Sequence, residues 1–335
     1  MKADSTRSII MKLPCLILAL CVLAWCQGCD NNSGGTAQKK LHLAFVANTP
    51  NDFWSMVQLG CDIAARESGD VELDFRFPLN PTVEAQQELM NSLVASGVDG
   101  IAVSPIDAES QTAFLNSIAA KCLLICADSD AEKSKRVCYV GTDNVAAGRQ
   151  AAGLLKAALP GGGKVVLFVS YLNAENTKDR IQGLQAELAG SNIEIIDTIP
   201  DGAKSAVAQN NAADVLAKHP DLAGIVCLNG YQGPAILAAV RGANKAGKVK
   251  IVCFEGYSDT LEGIASGDIV GTIVQMPYNF GYQAISRMDK YLRGDTTQFS
   301  QGKILLPSRP LTKDKVAEFQ AARSAQLLKL KDGTK

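Results

Sequence analysis

Short apolar runs alternate along this chain with longer segments whose apolar positions recur at helical spacing. The run at residues 41–47 is almost entirely apolar, as expected of a strand covered on both faces. The segment that follows, residues 53–67, places Val57, Cys61 and Ala64 on one helical face, and Gly69 is suited to end that helix. This alternation predicts parallel strands joined by crossover helices.

The same alternation continues in two series and predicts an α/β fold with two lobes, each a doubly wound parallel sheet. Strands are predicted at residues 41–47, 71–77, 100–104, 123–127, 137–141, 164–169, 193–199, 224–228, 250–254 and 270–274. Helices are predicted at residues 53–67, 83–96, 108–120, 145–158, 178–189, 204–218, 231–246, 276–293 and 312–330.

Side chains able to hydrogen-bond or stack follow several predicted strands. In open α/β sheets a ligand binds beyond the carboxyl ends of the strands. The residues at these ends are Asn51, Phe53, Trp54, Ser104, Asp128, Asn229, Glu255 and Gln275. Carboxylates and amides can bind adjacent hydroxyls, and an aromatic ring can cover the C–H face of a sugar. The pattern predicts a binding site for a small neutral polar molecule.

Individual residues of this set have other readings. Asp128 and Glu255 could act as general acid and base or cap helices, and Phe53 and Trp54 could be core anchors. Arg180, which lies outside this set near a predicted helix start, could form a surface salt bridge. Because the sequence offers no histidine or nucleophile motif beside the carboxylates, we predict no catalytic residue, metal or cofactor.

The N-terminus has the pattern of an export signal. A basic segment precedes an apolar core at residues 13–25, and Gly28 stands directly before Cys29. Residues 29–40 are hydrophilic and lack periodicity, which predicts a tether. Met11 could be the true start, because the signal is complete without residues 1–10.

Composition excludes some partners and leaves one cysteine pair open. A formal net charge of -1 offers no basic surface for nucleic acid. Cys126 and Cys138 could form a disulfide in an exported protein if their strands are neighbours, and they could equally be buried thiols.

Several stretches together resemble the periplasmic pentose- and hexose-binding proteins of the ribose-binding type, over about residues 41–306. They are Phe45–Ala47, Asn51–Trp54, Asp99–Pro105, Ala127–Asp130, Val140–Asn144, Ala147–Gly148, Asp179–Arg180 with Gly183, Phe254–Gly256 and Thr272–Pro277. The N-terminal segment resembles a bacterial lipoprotein signal. That likeness implies a lipid on Cys29, with Cys26 as the other candidate.

The resemblance implies a type I periplasmic binding fold whose lobes are joined by a three-crossing hinge. The implied organisation is a signal peptide at 1–28, a tether at 29–40, a first lobe at 41–142 plus 276–304, a second lobe at 143–275 plus 305–312, and a helical tail at 313–335. The implied sugar contacts are Asn51, Phe53, Trp54, Ser104, Asp128, Arg180, Asn229, Glu255 and Gln275. Only Arg180 is absent from the strand-end set.

The chain departs from the ribose-binding pattern at three positions. Ser129 stands where a second arginine is frequent, Gly202 stands near a frequently aromatic position, and Glu255 replaces an aspartate. Tyr171 or Tyr231 could supply the aromatic wall instead. These departures argue against ribose itself.

The resemblance therefore implies a substrate-binding lipoprotein of an ABC-type importer, which binds a neutral monosaccharide or polyol. We expect a monomer, exported to the periplasm or cell surface, anchored by lipid and contacting a transporter permease. The alternative is a sensory protein that presents a sugar or furanone-type signal to a membrane receptor or kinase. A repressor is disfavoured, because an export signal occupies the place of a DNA-binding head.

Overall fold

A computed structural model describes residues 39–332, in which strands and helices alternate as the sequence pattern predicts. Up to the first lobe crossing the elements are β1 (Leu41–Val46), α1 (Asp52–Ser68), β2 (Val71–Arg76), α2 (Val83–Ala95), β3 (Gly100–Val103), α3 (Ala108–Ala119), β4 (Leu123–Ala127) and β5 (Cys138–Thr142). The next are α4 (Asn144–Ala158), β6 (Gly163–Val169), α5 (Glu175–Leu188), β7 (Ile193–Pro200), α6 (Ser205–Lys218), β8 (Gly224–Cys227), α7 (Gln232–Gly242), β9 (Lys250–Phe254), α8 (Ser258–Ser266) and β10 (Gly271–Val274). The last are α9 (Pro277–Leu292), β11 (Lys303–Leu306), β12 (Arg309–Leu311) and α10 (Val316–Asp332).

The strands form two sheets of the same construction. The first has the order β11-β5-β4-β3-β1-β2, and the second has the order β12-β10-β9-β8-β6-β7. All pairs are parallel except β10 with β12, which is antiparallel. The predicted fold of two doubly wound lobes is therefore confirmed.

The chain passes between the sheets at three places. It leaves the first sheet after Thr142, where Asp143 caps α4 by accepting a hydrogen bond from the Ala146 amide, and it returns between β10 and α9. The last crossing lies between β11 and β12. The first lobe extends beyond the predicted limit of 304, because Leu305 and Leu306 still pair with Gly141 and Thr142 of β5.

Both faces of each sheet are covered by helices, which explains the apolar strands. In the first lobe, Val57 of α1 and Phe280 of α9 pack on one face, while Met90 of α2 and Leu115 of α3 pack on the other. In the second lobe, α4 and α5 cover one face, and α6, α7 and α8 cover the other. This packing fixes the carboxyl ends of the strands, where the candidate site lies.

Three features differ from the sequence expectations. Helix α5 begins at Glu175, ahead of the predicted start at 178, so Arg180 lies in its second turn and not at its start. Helix α8 was not predicted, because it is short and contributes only a few apolar positions such as Leu261 and Ile264. Both β11 and β12 were also missed. They are short, and β12 contains Pro310, which argues against a strand except at a sheet edge.

The alternative of a Cys126–Cys138 disulfide is wrong. In the register of β4 and β5, Cys138 lies opposite Ile125, and Cys126 lies opposite Tyr139. Successive side chains of a strand point to opposite faces, so the two thiols lie in the cores on opposite sides of the sheet. Both are free and buried.

Predictions for the signal peptide and Cys29 lie outside the described residues. Within residues 39–332, no helix has the length and apolar character needed to cross a membrane.

Candidate functional site

The carboxyl ends of the two sheets face each other across a cavity. The predicted residues that line it are Asn51, Phe53, Trp54, Asp128, Arg180, Asn229, Glu255 and Gln275. Ser104 is the one predicted residue outside this lining. It is fully buried behind Asp128, and its Oγ donates a hydrogen bond of 2.9 Å to Asp128 Oδ2. The structure thus brings together the residues that the sequence scatters over both lobes.

Asp128 stands on a tight corner directly after β4. Its φ of 66° is in the left-handed region, which costs free energy unless neighbouring contacts impose it. Its amide donates to the Val140 carbonyl at 3.1 Å, and its carbonyl accepts a hydrogen bond of 2.9 Å from Tyr139 Oη. Burial raises the pKa of the Asp128 carboxyl, while the charge of Arg180 and the hydrogen bond from Ser104 oppose that rise.

Glu255 stands on the equivalent corner after β9 and has a φ of 65°. Its amide donates to the Ile273 carbonyl at 2.9 Å, and its carbonyl accepts from Thr272 Oγ1 at 2.8 Å. Its side chain accepts a hydrogen bond from Gln275 Nε2. Burial raises the pKa of Glu255 to about 7, although the Gln275 bond and the Arg180 charge both act to lower it.

Arg180 is the cation of the site, and it is 3% exposed, so the surface salt-bridge alternative is wrong. Its Nε donates to Asn144 Oδ1 at 2.9 Å, Nη1 donates to the Leu228 carbonyl, and the guanidinium lies 4.3 Å from the Phe254 ring centre. Gly148 permits this position, because a Cβ there would stand 2.1 Å from the Arg180 carbonyl oxygen. Burial lowers the pKa of Arg180, and Asp128 and Glu255 oppose that shift.

The aromatic residues of the first lobe belong to both the core and the cavity wall. Asn51 caps α1 through its side chain, which accepts from the Phe53 amide at 3.1 Å. This fixes the first turn, in which Phe53 and Trp54 pack edge to face with ring centres 5.1 Å apart. Trp54 is 2% exposed and also packs near Phe45, so the two readings of these rings are compatible.

Hydrogen bonds cross the cleft between the lobes. Asn176 Nδ2 of the second lobe donates to Asp128 Oδ2 at 3.4 Å, and the Phe53 amide of the first lobe donates to Tyr257 Oη at 3.2 Å. Tyr171 Oη donates to the Pro81 carbonyl at 3.3 Å. These contacts describe a conformation in which the lobes meet around the cavity.

Sequence reasoning missed several lining residues. Ser170 directly follows β6, so the strand-end rule would have found it, and Asn48 lies just beyond β1. Asn176, in the first turn of α5, and Tyr257, directly before α8, reach the site only through lobe packing, and no local sequence pattern marks them.

Both tyrosines considered as a substitute aromatic wall line the cavity. Tyr231 Oη donates to the buried Asp201 carboxylate, which also accepts from Gln232 Nε2 at 2.6 Å. Gly202, near the departure from the ribose-binding pattern, adopts a φ of 63°, and its carbonyl oxygen lies 3.5 Å from Tyr171 Oη. Either tyrosine is therefore placed where it could supply the aromatic wall.

The buried hydroxyl of Ser129, where the ribose-binding pattern frequently has an arginine, has no hydrogen-bond partner within residues 39–332. No cluster of three or more histidine, cysteine or acidic side chains in that range is arranged to hold a metal ion.

A cleft between two doubly wound lobes, lined by polar strand ends and closed by hydrogen bonds from both sides, defines a two-lobed solute-binding protein. A family model for the periplasmic binding protein domain matches residues 44–296. The chain belongs to this family.

Individual relatives agree with this assignment. The chain is 25% identical to the ribose import binding protein RbsB of Salmonella typhimurium over 264 residues, covering 78% of this chain and 88% of that protein. It is 29% identical over 199 residues to a xylitol-binding protein of Mycolicibacterium smegmatis, covering 58% and 57%. Among solved structures, an ABC transporter solute-binding protein from Burkholderia graminis in complex with D-arabinose is 28% identical, with a TM-score of 0.78 over 83% of this chain and 96% of that one.

Proposed function

We propose that this protein is the substrate-binding lipoprotein of an ABC-type importer and binds a neutral monosaccharide or polyol between its lobes. The observation that carries the proposal is the buried group formed by Asp128, Glu255 and Arg180 at the meeting of the two sheets. The sugar- and polyol-binding relatives support the same class of ligand.

The charges of this group favour a neutral ligand. Arg180 is paired electrostatically with Asp128, and Glu255, with a pKa of about 7, is in part protonated at neutral pH. The group is therefore close to electrical balance without a ligand. A strongly charged ligand would bring an uncompensated charge into a dry cleft, which is costly.

The remaining groups suit hydroxyls and a C–H face. Amides of Asn51, Asn229 and Gln275 both donate and accept hydrogen bonds, as a hydroxyl does. Phe53 and Trp54 offer ring surfaces on the first lobe, and Tyr231 offers one on the second. Contacts from both lobes would favour the closed conformation, because a ligand shifts an equilibrium only by its differential affinity for the two states.

The transporter and anchor parts of the proposal rest on the sequence and on the relatives. The export signal followed by Cys29 supports a lipid anchor, and the Burkholderia graminis relative is a solute-binding protein of an ABC transporter. Nothing in residues 39–332 favours the sensory alternative over transport.

A thermal-shift screen tests the ligand class. Residues Lys39–Lys335 form one compact unit and would be screened against pentoses, hexoses, polyols, nucleosides and amino acids. A ligand that binds only the native state raises the melting temperature. A shift with a neutral sugar or polyol is expected; a shift only with a nucleoside or amino acid would contradict the ligand class and leave the fold intact.

The lipid anchor has its own test in the full-length chain. Cys29→Ser should abolish labelling by a radioactive fatty acid and release the protein from membranes. Cys26→Ser should keep both the labelling and the attachment to membranes. Persistent labelling of Cys29→Ser would contradict the assignment of Cys29.

A further inference from the structure

A buried hydroxyl connects Asp128 to the first crossing between the lobes. Tyr139 of β5 is 4% exposed, and its Oη lies 2.9 Å from the Asp128 carbonyl oxygen and 3.1 Å from the Thr142 carbonyl oxygen. The single hydroxyl proton can serve either acceptor or be shared between them. Because Thr142 ends β5, one side chain contacts both the site corner and the hinge.

Tyr139 reaches this place because its ring folds over Gly141, two residues further along the same strand. A Cβ at Gly141 would stand 2.1 Å from Tyr139 Oη and 2.4 Å from its Cζ. The glycine thus provides the space for the ring.

Asn144, the first residue of α4 after the crossing, extends the contacts to Arg180. Its Nδ2 donates to Tyr139 Oη and to the Thr142 carbonyl, at 3.3 Å each, and its Oδ1 accepts from Arg180 Nε at 2.9 Å. Asn144 is 4% exposed, so these bonds are shielded from water. The connection runs from Asp128 in the first lobe, through the hinge, to Arg180 in the second.

The corresponding corner of the second lobe has no such extension. Thr272 of β10 holds the place of Tyr139, and its Oγ1 donates its proton to the Glu255 carbonyl at 2.8 Å. This short side chain supports its own corner alone. It is therefore a natural control for the role of the tyrosine.

We propose that Tyr139 and Asn144 are positioning residues that couple the hinge to Asp128 and Arg180. The inference rests on the proposed sugar-binding function. Rotation of the backbone at the crossing changes the Tyr139–Asn144 contact, so the intact hydrogen bonds favour the arrangement in which both charged groups face the cleft. Preorganisation of this kind reduces the free-energy cost of closing around a ligand.

The test is a double-mutant cycle on the compact unit, with sugar binding measured by calorimetry. Tyr139→Phe and Asn144→Ala should each weaken binding about five- to twenty-fold, the range expected for the loss of one or two buried hydrogen bonds. In the double variant, the loss of affinity should be smaller than the product of the two single losses, because the residues share one network. Thr272→Val combined with Tyr139→Phe should instead give losses that multiply.

Urea unfolding of the ligand-free variants separates positioning from general stability. If Tyr139→Phe binds sugar with wild-type affinity, or if its loss multiplies with that of Asn144→Ala, the coupling is overturned while the receptor function stands.

If the wild type binds none of the sugars, the receptor function fails, and small-angle scattering of the ligand-free proteins decides the coupling. Tyr139→Phe should then have a larger radius of gyration than Thr272→Val, and equal values would overturn the proposed coupling.

Discussion

The corners that carry Asp128 and Glu255 share a backbone design and differ in what their side chains contact. Each residue has a left-handed φ, each amide bonds to the next strand, and each carbonyl accepts from a hydroxyl of that strand. The Asp128 carboxylate is held by Ser104, close to Arg180, and is bonded across the cleft by Asn176. The Glu255 side chain is held by Gln275 of its own lobe.

This comparison shows how one fold element can present two different carboxyl groups to the cleft. The shared backbone places both residues directly after a strand, at the carboxyl edge of its sheet, and the neighbours decide how readily each carboxyl is ionised. The Arg180 charge and the Ser104 hydrogen bond oppose the rise that burial causes in the pKa of Asp128, whereas the Glu255 carboxyl, with a pKa of about 7, can either accept or donate a hydrogen bond.

The largest effect is expected when the cation that serves both corners is removed. Arg180→Met should weaken sugar binding by about 2–5 kcal/mol, because it leaves buried carboxylates without their partner. It should also lower the stability of the ligand-free protein, since Asn144 Oδ1 and the Leu228 carbonyl lose their donor. Calorimetry and urea unfolding measure the two effects.

Arg149→Met on α4 is the matched control for that variant. The Arg149 side chain is 53% exposed, and its Nη1 lies 4.0 Å from Glu187 Oε2. The free energy of sugar binding and the stability of the ligand-free protein should therefore both stay within about 0.5 kcal/mol of wild type. Equal losses for the two arginine variants would contradict the role of Arg180.

A smaller effect should distinguish the two corners directly. Asp128→Asn should weaken binding by about 1–3 kcal/mol, because an amide loses the charge that Arg180 faces and can place donors against Ser104 and Asn176. Glu255→Gln should cost less than about 1 kcal/mol at pH 7, because the amide resembles the protonated acid. Calorimetric titrations of both variants at pH 7 provide the measurement, and a larger loss for Glu255→Gln would reverse the comparison.

A separate effect concerns stability and pH. The pKa of Glu255 is raised from 4.5 to about 7 in the folded protein. Below pH 4.5 the carboxyl is protonated in both folded and unfolded states, so it contributes no pH dependence. Between pH 4.5 and 7 the folded state retains the proton that the unfolded state releases, so stability falls as pH rises, and above pH 7 the penalty is constant.

Urea unfolding of ligand-free wild type and Glu255→Gln across this window isolates that contribution. Burial raises the pKa of Asp128 in both proteins, so the difference between the two curves reports Glu255 together with its charge interaction with Asp128. The wild type should lose more stability than Glu255→Gln between pH 4.5 and 7. If the curves of stability against pH are parallel for the two proteins, Glu255 does not cause the fall in stability.

The sequence predicted the fold and much of the candidate site because both depend on local signals. Apolar runs identify strands that are buried on both faces, and the residue after a parallel strand lies at the ligand-binding edge whatever the loop does next. Asp128, Glu255 and Asn229 follow from that rule alone. Arg180 did not follow from it, because it lies within a helix and reaches the cleft through the close packing of α4 and α5 at Gly148.

Other features depend on three-dimensional relations that no local pattern carries. Asn176 and Tyr257 contact the opposite lobe, so their roles exist only when the lobes meet. The left-handed backbone of Asp128 is imposed by Val140 and Tyr139 on the next strand, and no glycine marks it. Sheet register, which places Cys126 and Cys138 on opposite faces, is likewise set by pairing between strands.

The most direct test of the account is a crystal structure of the compact unit with the sugar or polyol that gives the largest thermal shift. The account predicts ligand hydroxyls within hydrogen-bond distance of the Asp128, Glu255 and Arg180 side chains, with an aromatic ring of the cavity wall against a C–H face. A ligand bound elsewhere, or bound in the cleft without contact to either carboxylate, would contradict it.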